Sequence, residues 1–370
     1  MIFWLLLLVF ACLACGVNGD TLYFTSDRDG NKEIYSTILG TGEEHNLTNT
    51  AEEEYGVILS PDRQKILFLV GPEGSSSIDV IDLKKSQKDG WRHTITKGSG
   101  KFLFPRWSPD AGRVVFLGIT EKHGSRVYIT DVSESDPVRL SDIESTQVGD
   151  WAPDGGTVAF SSGSASKLGI HVRNPDGVNQ RQITCGKDYD AVWSPDSQKL
   201  LFISERDGNK EIYTVGKDDV GGLCDQKEER SKTIPLRLTE SDEDEYDISW
   251  SPDGKRILYV SERDGNAEIY IMEESGNKKT RLTFNDVRDH QPTWSPDGKR
   301  IAFVSEQDGD SDIFTMNDSG GDQTRITNND QEDLEPRWWR EFSNWPWNKF
   351  VDNGTSHVQC LSFLAVSITT

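Results

Sequence analysis

Three acidic runs are the densest concentrations of reactive side chains: Glu52-Glu53-Glu54, Glu240-Ser241-Asp242-Glu243-Asp244-Glu245 and Asp330-Gln331-Glu332-Asp333. Carboxylates gathered on one surface could focus negative potential on a cationic ligand, a basic protein segment or a divalent ion such as calcium. Glu53, Glu54 and Glu245 come from these runs, and Asp150, Asp190, Asp247, His290 and Glu335 stand at corresponding points along the chain. Together they form the candidate binding set. No catalytic residues are assigned, because the chain has no G-x-S-x-G elbow, no H-E-x-x-H and no glycine-rich phosphate loop after a strand. His45, His93, His123, His171, His290 and His357 lack metal-ligand spacing in sequence. No cofactor is expected, and a divalent cation is the one option left open. The Arg-Asp-Gly-Asn segments at Arg28, Arg206 and Arg263 resemble a calcium loop only faintly. Their glycine comes too early for an EF-hand, and hairpin-turn chemistry explains them better.

The formal net charge is −22, with none of it in residues 1–19. Such a surface repels nucleic-acid phosphates and anionic lipid headgroups, so nucleic acid is excluded as a partner class. The apolar stretch 1–11 is too short for a comfortable membrane span, and Val17 and Gly19 put small residues before Asp20. Residues 1–19 are therefore expected to be a signal peptide, giving a secreted protein, or a periplasmic one from a bacterial source. No membrane insertion is expected after cleavage. Cys12 and Cys15 lack the flanking residues of a lipidation site. Cleavage leaves Cys185, Cys224 and Cys360. The sequons at Asn46, Asn317 and Asn353 are glycosylation candidates in a eukaryotic host.

The elements that must position these groups are legible from a repeat of about 44 residues. Trp107-Ser108-Pro109-Asp110 recurs from Trp151 (with Ala152 replacing Ser), Trp193, Trp250 and Trp294. A degenerate copy begins at Leu59, and Trp338 closes the series without Ser-Pro-Asp. Each unit reads as four strands. In one copy strand A is Asp247–Trp250, followed by the type I turn Ser251-Pro252-Asp253-Gly254. Strand B is Ile257–Ser261, strand C is Glu268–Met272 after an Asp-Gly hairpin turn, and strand D lies near Thr280–Thr283. The expected fold is therefore all-β, a single β-propeller of four-stranded blades. Residues 21–48 supply strands B, C and D but no A, whereas Leu334–Trp338 supplies strand A alone. Pairing the two ends closes the ring, and seven blades are favoured over six. The domains are then 1–19 signal peptide, 20–340 propeller and 341–370 irregular extension. The repeated tryptophans should wedge between blades.

The pairing of W-S-P-D-G-K-R-I with R-D-G-N-x-E-I-Y over residues 21–338 resembles the TolB-type, WD40-like propeller family. The resemblance implies an interaction platform, sometimes joined to peptidase, lyase or transport-associated domains. It departs from TolB in having no α/β domain ahead of the propeller. The function expected is a secreted, non-catalytic scaffold, monomeric, that meets a protein or cationic ligand through an acidic channel rim. The alternative is a propeller enzyme, lyase- or hydrolase-like, with a cross-blade metal or carboxylate site. Alternating strands put the D–A and B–C connections on one rim and the A–B and C–D connections on the other. That geometry gathers the acidic runs on one rim. It also argues against a Cys185–Cys224 disulfide, because Cys224 lies in the long C–D insertion 216–232.

Overall fold

The computed structural model describes residues 20–339 apart from 73–75, 86–89, 97–99, 134–135, 166 and 219–234. The signal-peptide and extension readings, the greater part of the insertion and Asn353 lie outside the described residues. So do Cys12, Cys15, Cys224 and Cys360. Cys185 is disulfide-bonded, and the Cys224 pairing that the connection geometry argued against cannot be placed among the described residues.

Seven four-stranded antiparallel sheets form the fold, so the seven-blade expectation holds and six is excluded. Blades are numbered from the first complete one. Their inner strands, A, are Glu54–Leu59, Lys101–Trp107, Gln147–Trp151, Asp188–Trp193, Glu245–Trp250, Asp289–Trp294 and Asp333–Trp339. The seventh blade is shared between the chain's two regions. Asp333–Trp339 pairs antiparallel with Thr21–Ser26, which leads on to Glu33–Ile38 and Glu44–Asn46. No edge of the first N-terminal strand is left open. Among the described residues no helix is long and apolar enough to cross a membrane.

The repeat signature explains the local structure. Gly254 N–H closes the Ser251 turn at 2.8 Å, while Ser251 Oγ bonds Asp253 and accepts Arg256 N–H. Each strand B is a run of buried apolar residues, Ile257 to Val260 in the fifth blade, packed between neighbouring sheets. The seven inner-strand Trp positions are filled by Leu59 in the first blade and by tryptophans 3–7% exposed in the others. Trp107, Trp250 and Trp338 donate their indole N–H to carbonyls of Ile58, Val192 and Thr293, in neighbouring blades. Arg113, Arg256 and Arg300 stack over Trp151, Trp294 and Trp338 of the following blade. The wedging role expected of these tryptophans holds. Their burial removes them as a carbohydrate-stacking surface.

Strand D is short and needs a further support. In every blade a Thr or Ser just past it accepts an N–H of strand C, from its second residue in six blades and from Val127, the fourth, in blade 2, at 2.8–3.0 Å. Thr48, Thr239 and Thr283 are three of these acceptors. Their hydroxyls therefore tie the outer strand to the body of the blade.

Candidate functional site

The rim assignment rests on contacts between connections. Asn31, in a B–C turn, donates to the carbonyl of Glu52 in the following D–A connection at 2.7 Å, and Asn209 does the same to Glu243. On the opposite rim Glu274 N–H, in a C–D connection, bonds Lys255 O in an A–B turn. The acidic runs therefore share one end of the propeller. Glu52, Asp242, Glu243, Asp330 and Glu332 are exposed there. Glu53 is partly committed, since its Oε2 accepts Lys32 N–H at 3.0 Å. Phe284 lies on the same rim and is 74% exposed.

The first residue of the inner strand behaves differently. Glu54, Asp188, Glu245, Asp289 and Asp333 are fully or nearly fully buried. Arg28 Nη2 donates to both oxygens of Asp333 at 2.8 and 3.0 Å, and Arg206 does the same to Asp188 at 2.9 and 3.0 Å. Arg263 reaches Glu245 at 2.5 Å. Each of these arginines is the first residue of an Arg-Asp-Gly-Asn turn and also contacts the ring of Tyr35, Tyr213 or Tyr270. The turn's aspartate accepts that tyrosine's hydroxyl. Glu54 takes its guanidinium from Arg92 on strand D. Burial raises the Glu54 and Glu245 carboxyls above the usual range, and Arg92 and Arg263 oppose it. Of the residues singled out from sequence, Glu54 and Glu245 thus sit inside a blade. Repeated Arg-Asp-Gly-Asn is a buried charge lock, in keeping with its reading as turn chemistry.

Asp190, Asp247 and Glu335 converge on the channel because the inner strands alternate. The tryptophan and the residue two before it are buried, whereas the residues one and three before it are half-buried or more open. A register shift interrupts each inner strand at this point. Gly56, Phe104, Asp190, Asp247, Gln291 and Glu335 have φ between 50° and 72° there. The bulge turns a backbone N–H away from the ladder, and the previous blade supplies its acceptor. Asp247 Oδ2 accepts Gln291 N–H at 2.9 Å, Gln291 Oε1 accepts Glu335 N–H at 2.7 Å, and Glu335 Oε2 accepts Gly56 N–H at 2.6 Å. Gln147 Oε1 accepts Asp190 N–H, and its amide donates back to the Asp190 carboxylate. Side chains thus link blades 3 to 4 and 5 through 6 and 7 to 1.

One step further along the strand lie Asp150, Arg106 and Arg337, with Ile58, Val192, Ser249 and Thr293 at the corresponding points. Burial pushes the Asp150 and Asp190 carboxyls up, and Arg106 opposes both shifts. Asp247 raises Asp190 further. His290 is half-buried, 3.6 Å from Glu306, and its burial lowers its proton affinity against the pull of Asp247 and Glu306. Groups from blades that are not neighbours act on one another, which a common central space explains.

Sequence reasoning missed Gln147, Gln291, Arg106 and Arg337. A signal existed for the arginines: Pro-Arg-Trp occurs at both 105–107 and 336–338. Among the described residues there is no group of three or more His, Cys, Asp or Glu able to hold a metal ion. His171 packs on Phe160 with Nε2 on Lys167 O at 2.8 Å, in the place that blade 1 gives to Asp79 and the other five blades to a tyrosine or phenylalanine. Asn46 donates to Asp29 and Tyr35, and Asn317 caps its hairpin by accepting Ser319 and Gly321 N–H.

The family model described as the TolB beta propeller domain matches residues 82–223 and 237–344. A protein TolB homolog of Chlorobium luteolum is 26% identical over 201 residues, 54% of this chain and 35% of that protein. The chain therefore spans about a third of that relative's length. TolB from Acinetobacter baumannii superposes with a TM-score of 0.56 at 17% identity, covering 89% of this chain and 69% of that one. An oligogalacturonate lyase in complex with manganese superposes at 0.62 with 18% identity, covering 80% and 85%. At these identities the two structures share the fold alone with this chain.

Proposed function

Because the chain belongs to the TolB β-propeller family, we propose that it is an exported, non-catalytic scaffold that binds a basic segment of a protein partner on its acidic rim. One observation carries this reading. The exposed carboxylates at 52, 242, 243, 330 and 332 and the exposed ring of Phe284 lie on the same end of the propeller. Charge of one sign steers a basic partner to the rim, and an aromatic beside it supplies apolar contact area. The structure gives this rim a rigid base, since its connections are tied down by Asn31, Asn209 and the buried arginine locks.

The test compares the wild-type chain with a variant carrying E52Q, D242N, E243Q, D330N and E332Q. These five side chains are exposed, so the fold should persist, as circular dichroism would check. The probe is a lysine-rich peptide with one apolar residue, titrated calorimetrically at low and at physiological salt. The wild type should bind it with marked salt dependence, and the variant should lose most of that affinity. Equal binding by the two proteins would reject the rim as the site. F284A separates the apolar contribution, with a loss expected at both salt concentrations.

A further inference from the structure

In blades 4, 5 and 7 an arginine of the B–C turn is received by the same set of groups. Its Nε donates to the serine that ends strand B, Ser204, Ser261 or Ser26, at 2.8 Å each time. Its Nη2 donates to the acid opposite that serine on strand A, Asp188, Glu245 or Asp333. Its Cζ lies over a strand C tyrosine ring, 4.6–5.0 Å from the centroid.

Blade 6 keeps this receptor and lacks the arginine. Ser305 ends strand B opposite Asp289, and Phe314 stands where the tyrosines do, stacked on Phe303. The turn residue is Gln307, which is exposed. Asp289 and Ser305 are both 0% exposed, and Asp289 Oδ1 and Ser305 Oγ have no hydrogen-bond partner. Buried acceptors without donors are rare in native proteins. Asn285 holds the other Asp289 oxygen, which leaves room for a guanidinium: in blade 7 Asn329 bonds Asp333 in the same way while Arg28 bonds both its oxygens. Among the described residues the neighbouring cations are taken, Arg325 by Asp308 and Asp312 and Arg288 by Glu306.

The approach is from the acidic rim. The three resident arginines are 17–24% exposed although the acids they bond are fully buried. One side chain's length therefore spans the depth from surface to acid. Phe284 stands exposed in the connection that leads to Asp289, with exposed Asp286 in the same connection and Asp308 in the facing turn.

We propose that Asp289, Ser305 and Phe314 form a guanidinium slot in blade 6, which takes an arginine side chain of a protein partner where the sister blades take their own. A planar fork that bonds hydroxyl and carboxylate together while covering a ring selects arginine over lysine. This deepens the reading of the acidic rim and rests on it for bringing a basic segment there.

The experiment uses the full chain at pH 8, where Asp289, with its pKa of about 6, is ionised. The lysine-rich peptide is titrated calorimetrically in three forms: as it stands, with one lysine replaced by arginine, and with that lysine replaced by neutral citrulline. The arginine form should bind at least about tenfold more tightly than the lysine form, and the citrulline form more weakly than either. Q307R fills the slot from within and should abolish the arginine preference, whereas Q307A leaves it open and should keep it. Melting temperatures check that both variants are folded. The five-site rim variant should weaken all three forms and preserve the ratio of arginine to lysine binding. Equal binding of the arginine and lysine forms by the wild type overturns the slot and leaves the rim reading standing. Binding of the arginine form alone, lost in Q307R but unchanged in the rim variant, keeps the slot and rejects the rim. An arginine preference that survives in Q307R overturns the slot. Free L-arginine bound as tightly as the peptide overturns the assignment to a protein partner.

Discussion

Asp289 shows how one substitution inside a repeat changes a residue's chemistry. In blades 4, 5 and 7 the buried carboxylate at the head of the inner strand meets an arginine from the adjoining turn. In blade 6 that arginine is Gln307, and no lysine or arginine among the described residues pairs with Asp289. Its carboxylate is 0% exposed and accepts Asn285 Nδ2 at 2.8 Å. Burial, with Glu268 nearby, pushes its pKa up to about 6. An unfolded aspartate titrates near 4, so the folded state holds this proton more tightly than the unfolded one. The group's contribution to stability is therefore full below about pH 4 and is lost as pH rises through about 6. D289N should remove this pH dependence and raise stability at pH 8 by about 1–2 kcal/mol. Q307R should restore the arginine lock and stabilise the chain at neutral pH. Chemical denaturation at pH 4.5 and pH 8 reads both, and a D289N chain weaker than wild type at pH 8 would refute the account.

At the scale of the element, the inner strand is more than a run of paired residues. Its bulge frees an N–H toward the channel, and the preceding blade's Asp247, Gln291 or Glu335 accepts it. Carboxylates that read as free binding groups in the sequence therefore hold neighbouring blades together. E335A leaves the Gly56 N–H without its acceptor and should cost about 1–3 kcal/mol. Gly56 itself has φ 72° with only ordinary contact room toward Leu69. G56A should cost about 1–2 kcal/mol through the left-handed backbone alone. Thermal melts by circular dichroism measure both variants. An E335A protein melting with the wild type would show that the inter-blade bond carries no weight. The Arg-Asp-Gly-Asn turn follows the same logic, since its arginine, aspartate and asparagine all bond within the scaffold.

At the scale of the molecule, stability depends on closure. The strand Asp333–Trp339 supplies the inner edge of the seventh blade, places Trp338 in the core at 6% exposure and gives Arg28 its carboxylate. A chain ending at Glu332 should expose the edge of Thr21–Ser26 and leave Arg28 unpaired. Size-exclusion chromatography should find it self-associating, since an open strand edge pairs with other chains. W338A, which keeps the strand and empties its core position, should remain monodisperse yet lose about 3–5 kcal/mol. Monodisperse behaviour by the shortened chain would show that the shared blade is dispensable.

Blade count, strand order and the shared blade were legible in the sequence because each is a local pattern repeated many times. Tryptophan spacing, the Ser-Pro-Asp turns and the Asp-Gly hairpins act over a few residues, and the repeat multiplies them into a ring. The common rim of the acidic runs was legible too, since strand alternation dictates it. Which of those acids remain available was decided only by the tertiary structure. Glu54 and Glu245 are consumed by Arg92 and Arg263, and Glu335 by a glycine N–H some 279 residues away in the chain. Arg106 and Arg337 are 231 positions apart by their numbers, yet closure places them on either side of blade 1. The physical reason is one of range: turns and strand faces follow from neighbours in sequence, whereas a carboxylate's freedom depends on partners that only the closed ring brings within hydrogen-bond distance.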